Sequence, residues 1–395
     1  MGGESFTGSA VRLDLVRDAA AAARLPEVLA ERCVHSLAER ASCRRCVDAC
    51  PTQAWVIDDE RLGIDPARCD GCGLCAPACP QAAIIAPSVE PLRVGSSGRG
   101  GLQAATDGAA MLACDRAWPG RSAIPGAMQH RGLEAAPSGA HGDGIVPCIH
   151  ALGLRDLARL AVDGCRRLVV ATGDCNVCPR GGAVRLETRL ADLARLLDSR
   201  RLPLLRLERL PADRWREARE GAAPDGGPQL RRRAFLSRGL GLAITKARVG
   251  FGLASAERER VGTVGNLLPH TARPGALVPV APAIDRAACT GCDACVRLCP
   301  ERAIRLEAEA GALAYRIAPQ DCTGCGLCVD VCADRAVRLD HWVVATPVSL
   351  PLDQASCARC GVRFHRPVID RAGGSPRCPV CERKGEAGRL FRVQE

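Results

Sequence analysis

Twenty-five of the 395 residues are cysteines, and their spacing defines the chemistry open to the chain. Cys289, Cys292, Cys295 and Cys299 form a C-x2-C-x2-C-x3-C run closed by Pro300. Cys322, Cys325, Cys328 and Cys332 repeat it, with Ala333 in the proline's place. Cys69, Cys72, Cys75 and Cys79, with Pro80, make a third run. A fourth is truncated: Cys43, Cys46, Cys50 and Pro51 keep their places, but Arg40 stands where the first cysteine belongs. Thiols at two- and three-residue spacing in a long chain argue for metal ligation rather than a disulfide framework, and so for a reducing compartment.

The complete runs resemble those of bacterial dicluster ferredoxins, over about 55 residues in the C-terminal copy. In that family the fourth cysteine of each run ligates the other run's cluster. The resemblance therefore implies one [4Fe-4S] site from Cys289, Cys292, Cys295 and Cys332, and a second from Cys322, Cys325, Cys328 and Cys299. In the N-terminal copy it implies a site from Cys69, Cys72, Cys75 and Cys50. Cys43, Cys46 and Cys79 are left one ligand short. Cys33, on a segment read as helical, is the nearby candidate to complete them; the alternatives are a three-thiolate [3Fe-4S] site or a buried helix cysteine. Gly291, Gly324 and Gly326 suit loops that turn amides toward cluster sulfurs.

Cys114, Cys148, Cys175 and Cys178 follow stretches that read as strands: "AAMLAC", "IVPC" and "RRLVVATGDC". Open parallel sheets build sites at strand carboxyl ends, where these cysteines would converge. Segment 146–180 resembles the delta subunit of methyl-viologen-reducing hydrogenase, which implies a [2Fe-2S] cluster; a zinc site or a redox pair at Cys175 and Cys178 is the alternative. Cys165, at a helix–strand junction, reads as a small buried side chain. His150 reads as an ordinary surface histidine, with tuning of a cluster at the middle cysteines as the alternative. In the tail, Cys357 and Cys360 are separated by 17 residues from Cys378 and Cys381, which resembles a zinc ribbon and implies a structural Zn2+. A rubredoxin-type iron site is the alternative.

The elements that must position these residues read as an α+β multi-domain chain. Two ferredoxin-like dicluster modules flank a small α/β parallel-sheet domain, with a zinc ribbon at the end. The expected divisions are N-terminal helices plus the first module at 1–85, with helical spacing over 11–40 and a hairpin around "AWVI" and "LGI"; a Pro/Gly/Ser linker at 86–107; the α/β domain at 108–210; a connector with a basic helix near 230–248 at 211–283; the second module at 284–345; and a separate tail at 346–395.

The formal net charge of +10 treats every cysteine as neutral. A four-thiolate cluster or zinc site carries roughly −2, so six sites offset about 12 charges and leave a near-neutral holoprotein. With one tyrosine, five phenylalanines and four tryptophans, stacking platforms for nucleic acid are not evident. No dinucleotide fingerprint or P-loop follows any expected strand. The first 25 residues hold no signal-peptide core, and no stretch of 18 apolar residues is present, so the reading is a soluble cytoplasmic protein. "RRRAFL" (Arg231–Leu236) looks like a twin-arginine export motif in mid-chain, and residues 231–340 resemble in outline the ferredoxins that accompany periplasmic nitrate reductase. A fused module or basic docking helix is expected there, not export. The expected work is one-electron transfer between partner oxidoreductase subunits. An accessory role in maturing an apo-oxidoreductase, or a redox-enzyme subunit with chemistry at the middle cysteines, is the alternative.

Overall fold

A computed structural model describes residues 25–58, 61–86, 108–117, 144–181, 185–221, 262–269, 275–309, 311–369 and 377–383. All 25 cysteines fall within them. The export-like motif Arg231–Leu236 and the basic stretch 230–248 lie outside the described residues.

The N-terminal module consists of two small antiparallel pairs. Strand β1 (Glu27–Val28) pairs with β4 (Ile84–Ile85), and β2 (Trp55–Asp58) pairs with β3 (Arg61–Ile64), the expected hairpin. Trp55 and Ile84 are buried together with Cys46 and Cys75, so the apolar core is built around thiols. The helix expected over 11–40 is not present in its described part. Residues 25–40 form β1 and two 3-10 turns, Ala30–Arg32 and Val34–Ser36, with Cys33 in extended conformation between them. Pro26 lacks the amide that a continuing helix would need.

Each cysteine run contains a helix of about one turn: Arg45–Asp48, Cys75–Ala78, Ala294–Leu298 and Leu327–Asp330. Proline disfavours helical dihedrals in the residue before it, so a cysteine preceding proline ends the turn. Cys79 and Cys299 are both extended, with ψ 112° and 111°.

The middle domain is the parallel sheet expected from strand–helix alternation. Its strands are β5 (Ala109–Cys114), β6 (Ile145–Val146), β7 (Arg167–Ala171) and β8 (Arg206–Arg209), in the order β6-β5-β7-β8. Helix Leu186–Asp198 buries Leu186, Leu190, Leu193 and Leu197, a 3.6-residue stripe, and helix Leu154–Val162 buries Leu157, Ala158, Leu160 and Ala161. A further helix, Ala212–Gly221, lies in the stretch read as connector; it buries Trp215, whose Nε1 donates to Val169 O at 3.3 Å.

The C-terminal module repeats the first on longer strands: β9 (Leu277–Ile284), β10 (Ile304–Glu309), β11 (Ala312–Ile317) and β12 (Val337–Val344). β9 pairs with β12 and begins within the stretch read as connector. The tail is not separate. Its strands β13 (Val348–Ser356) and β14 (Arg363–Pro367) extend the β10–β11 hairpin into a four-stranded sheet, because Leu350 and Leu352 cover the buried ring of Tyr315. The module also rests on the middle domain: Arg200 donates to Leu277 O at 2.7 Å, and the Arg195 guanidinium lies 3.9 Å over the Trp342 ring.

Candidate metal centres

Four cysteines share one local design. Cys50, Cys79, Cys299 and Cys332 each accept, at Sγ, the amide of the alanine four residues on: Ala54 (3.3 Å), Ala83 (3.3 Å), Ala303 (3.2 Å) and Ala336 (3.1 Å). In each case the residue three positions on, Gln53, Ala82, Arg302 or Arg335, has φ between 46° and 54°, which turns the chain so that its following amide faces the sulfur. The carbonyl of each cysteine also accepts the amide of that turned residue. The truncated run is therefore built like the complete ones.

A second local design involves the amide two residues on. The sulfurs of Cys69, Cys72, Cys148, Cys289, Cys322 and Cys325 face the amides of Gly71, Leu74, His150, Gly291, Gly324 and Leu327. Cys33 has the same arrangement toward His35, with the Ser36 amide added. Amides turned toward sulfur stabilise thiolate ligands and orient them.

Thiols that face one another repel as thiolates, and these repulsions define five groups. Burial raises Cys33, with repulsion from Cys43 added; burial raises Cys79, with Cys43 and Cys33 added; Cys46 is pushed up to about 12 by burial, then by Cys79 and Cys43. Cys33, Cys43, Cys46 and Cys79 thus form one group, the Cys33 group. Cys75 is pushed up to about 12 by burial and then by Cys69 and Cys50; Cys72, raised by burial, also faces Cys75, which completes the Cys69 group. Cys114, Cys148, Cys175 and Cys178 come together at the carboxyl ends of β5, β6 and β7, with Cys148 pushed up to about 12 by burial, then by Cys114 and Cys178. In the second module Cys295, pushed up to about 12 by burial, faces Cys289, Cys292 and Cys332, while Cys328, raised by burial, faces Cys325, Cys322 and Cys299. These are the Cys289 and Cys322 groups, and both follow the crossed pattern.

The residues fit iron–sulfur clusters. Cys50, Cys69, Cys72 and Cys75 line one open pocket together, and Cys299, Cys322, Cys325 and Cys328 line another. Reactive cysteines have lowered pKa values, whereas burial raises Cys46, Cys75, Cys148, Cys295 and Cys322, one in each group, so without a cation these thiols oppose ionisation. A bound cation reverses that balance and takes them as thiolates.

The tail differs. The sulfurs of Cys357, Cys360, Cys378 and Cys381 lie within 4.8 Å of one another, and Cys360 Sγ is 3.8 Å from Cys378 Sγ. A tetrahedral ion with bonds of about 2.3 Å holds its sulfurs about 3.8 Å apart, so this group has single-ion dimensions. The Cys378 amide donates to Cys357 Sγ at 3.3 Å and, as the largest cause, holds that thiol down at about 6.

Other groups in the sites have no signature in the sequence. Arg180 donates to Asp70 (2.7 Å), to Asp115 (2.9 Å) and to Pro147 O (2.9 Å). Asp70 sits between Cys69 and Cys72, and Asp115 follows Cys114, so one guanidinium ties two cysteine groups together. Burial opposes the Asp70 carboxylate, but the hydrogen bond and charge of Arg180 outweigh it and hold Asp70 below its usual range. Cys72, Leu74 and Cys148 close the same seam as a buried apolar cluster. Between the modules, Ser42 donates twice to Asp330 (2.9 and 2.8 Å), Arg45 donates to Gly324 O (2.7 Å) and Gln81 to Thr323 Oγ1 (2.6 Å). Beside the tail, Asp293 accepts from Tyr315 OH at 2.6 Å and lies 2.8 Å from His365 Nε2. Arg180, Arg45 and Gln81 stand beside site cysteines in the sequence, but nothing there names their distant partners.

His150 is not a surface residue. It is 4% exposed, its Nδ1 accepts from the Leu186 amide at 2.9 Å, and burial brings it down to about 4, so it is a neutral ring. Cys165 is fully buried and donates to Arg167 O at 3.1 Å, as a small core side chain would.

Among the described residues no helix is long and apolar enough to cross a membrane. No curated protein matches the chain. A family model described as the 4Fe-4S dicluster domain matches twice, at residues 18–83 and 288–336, and those two regions are ferredoxin modules of an iron–sulfur protein.

Proposed function

We propose that the chain is a polyferredoxin that relays single electrons between partner oxidoreductase subunits. The observation that carries this is the amide-to-sulfur turn repeated at Cys50, Cys79, Cys299 and Cys332, which gives both modules the same pair of cysteine groups. On this reading four [4Fe-4S] clusters are held by the Cys33, Cys69, Cys289 and Cys322 groups, with Cys33 as the displaced fourth ligand of its site. Cys114, Cys148, Cys175 and Cys178 hold a [2Fe-2S] cluster, and the tail cysteines hold Zn2+. Bound clusters supply one-electron redox chemistry; the protein supplies thiolates, amide hydrogen bonds and burial. One electron leaves a reduced partner and one reaches an oxidised partner, so the chain returns to its starting state.

Its place is the cytoplasm, where thiols stay reduced. Burial raises the Cys175 thiol, the opposite of the lowering that activates a redox cysteine, which supports a ligand role there over a reactive redox pair. The test is anaerobic reduction with dithionite followed by mixing with an oxidised one-electron carrier protein. Reversible bleaching and stoichiometric carrier reduction are expected. Iron that cannot be reduced and reoxidised would contradict the relay, and binding confined to an apo-oxidoreductase would favour a maturation role.

A further inference from the structure

The side chains that join the two modules come from positions next to the ligands of one site and end beside the ligands of another. Arg45 precedes Cys46, and its Nη2 donates to the carbonyl of Gly324, the residue between Cys322 and Cys325 in space and sequence. That carbonyl lies two residues from Cys322 and one from Cys325, so the guanidinium stands beside this group. Gln81 follows Cys79 by two residues, is 2% exposed, and donates to Thr323 Oγ1 at 2.6 Å, beside Cys325. The contact leaves little slack: Gly324 has φ 72°, and a Cβ there would lie 2.7 Å from Val280 Cγ1.

The other junctions continue in both directions. The Cys33 and Cys69 groups share a core through Cys46 and Cys75, and the Cys322 and Cys289 groups share one through Cys328 and Cys295. The Arg180 seam joins the Cys69 group to Cys114 and Cys148. Followed through these junctions, the five groups make a file in the order Cys114, Cys69, Cys33, Cys322, Cys289. The end groups are the open ones, with Val177 78% exposed between Cys175 and Cys178, and Cys292 exposed at the far end.

We propose that Arg45 and Gln81 of the N-terminal module raise the reduction potential of the site around Cys322 in the C-terminal module, making the module junction one link of this file. This rests on the electron-transfer reading above. A reduced cluster carries one more negative charge than an oxidised one, so a guanidinium and an amide donor beside it favour reduction. Both groups act as positioning and tuning residues from a module that contributes no ligand to that site.

The experiment is an anaerobic potentiometric titration of the full-length holoprotein, followed by electron paramagnetic resonance. The Cys322-site signal is identified as the one lost in a Cys325→Ser chain. Arg45→Gln should move that midpoint to a more negative value with the iron content kept, and Arg45→Lys should restore most of it. Arg44→Gln removes a neighbouring charge that pairs with Asp48 instead, and should leave the midpoint in place. Gln81→Leu should shift the same midpoint in the same direction, and it carries the test should Arg45→Gln lose iron. Equal effects of Arg44→Gln and Arg45→Gln, or no shift from Arg45→Gln and Gln81→Leu, would overturn the junction while leaving electron transfer intact. A wild-type chain with no reducible cluster would overturn the electron-transfer reading itself.

Discussion

On the proposed ligand set, the identity of the single side chain at Cys33 decides whether the first module holds two full clusters. The run beginning at Cys43 lacks its leading cysteine, and the chain brings Cys33 to Cys43 and Cys79 from an extended hinge between two 3-10 turns. Cys33→Ser should leave the other three four-thiolate sites of the modules intact and convert this one to a [3Fe-4S] or empty site. The serine oxygen is a harder ligand and holds iron less well. Electron paramagnetic resonance before and after the substitution checks this; unchanged reduced signals would mean another group caps the site. The sequence made Cys33 a candidate because no other cysteine stood near. It read the residue onto a helix because the Ala/Leu/Arg spacing there outweighed the single Pro26. Arg45, Gln81 and Arg180 were not legible as partners, since their contacts span 279, 242 and 110 residues and depend on how modules dock.

At the scale of elements, the α/β domain was the most legible part. Its strands are short apolar stretches and its helices carry leucine stripes, so period alone separates them. The helix Ala212–Gly221 was missed because Trp215 is the one large apolar side chain in "ADRWREAREG". That side chain is nonetheless 1% exposed and capped by Val169 O. Trp215→Ala should destabilise the domain by about 3–5 kcal/mol, since an unfilled cavity adds to the lost burial; chemical denaturation followed by circular dichroism measures it. The tail was read as separate from its zinc-like spacing, yet β13 pairs with β11 and His365 meets Asp293. Chelating the Zn2+ proposed for the tail should therefore unfold residues 357–369 and 377–383 while β13 stays paired with β11, because a small thiolate site folds only around its ion. Hydrogen exchange read by mass spectrometry would show loss of protection confined to those residues.

Across the whole molecule, 24 of the 25 cysteines fall into six groups of four, and the remaining one, Cys165, is core. The duplication was visible because ligand spacing is local. The order of the groups was not, because it is set by polar seams between residues far apart in sequence. The net charge of +10 is consistent with this architecture: arginines such as Arg45 and Arg180 stand where thiolate groups meet. The number of clusters one chain carries decides between one loaded module and two. Metal analysis of anaerobically purified protein should find about 16–18 iron atoms and about one zinc per chain, following the ligand counts of four cubanes, one two-iron site and one tetrahedral ion. Iron near eight per chain would mean that only one module is loaded, and would contradict the double-module electron carrier described here.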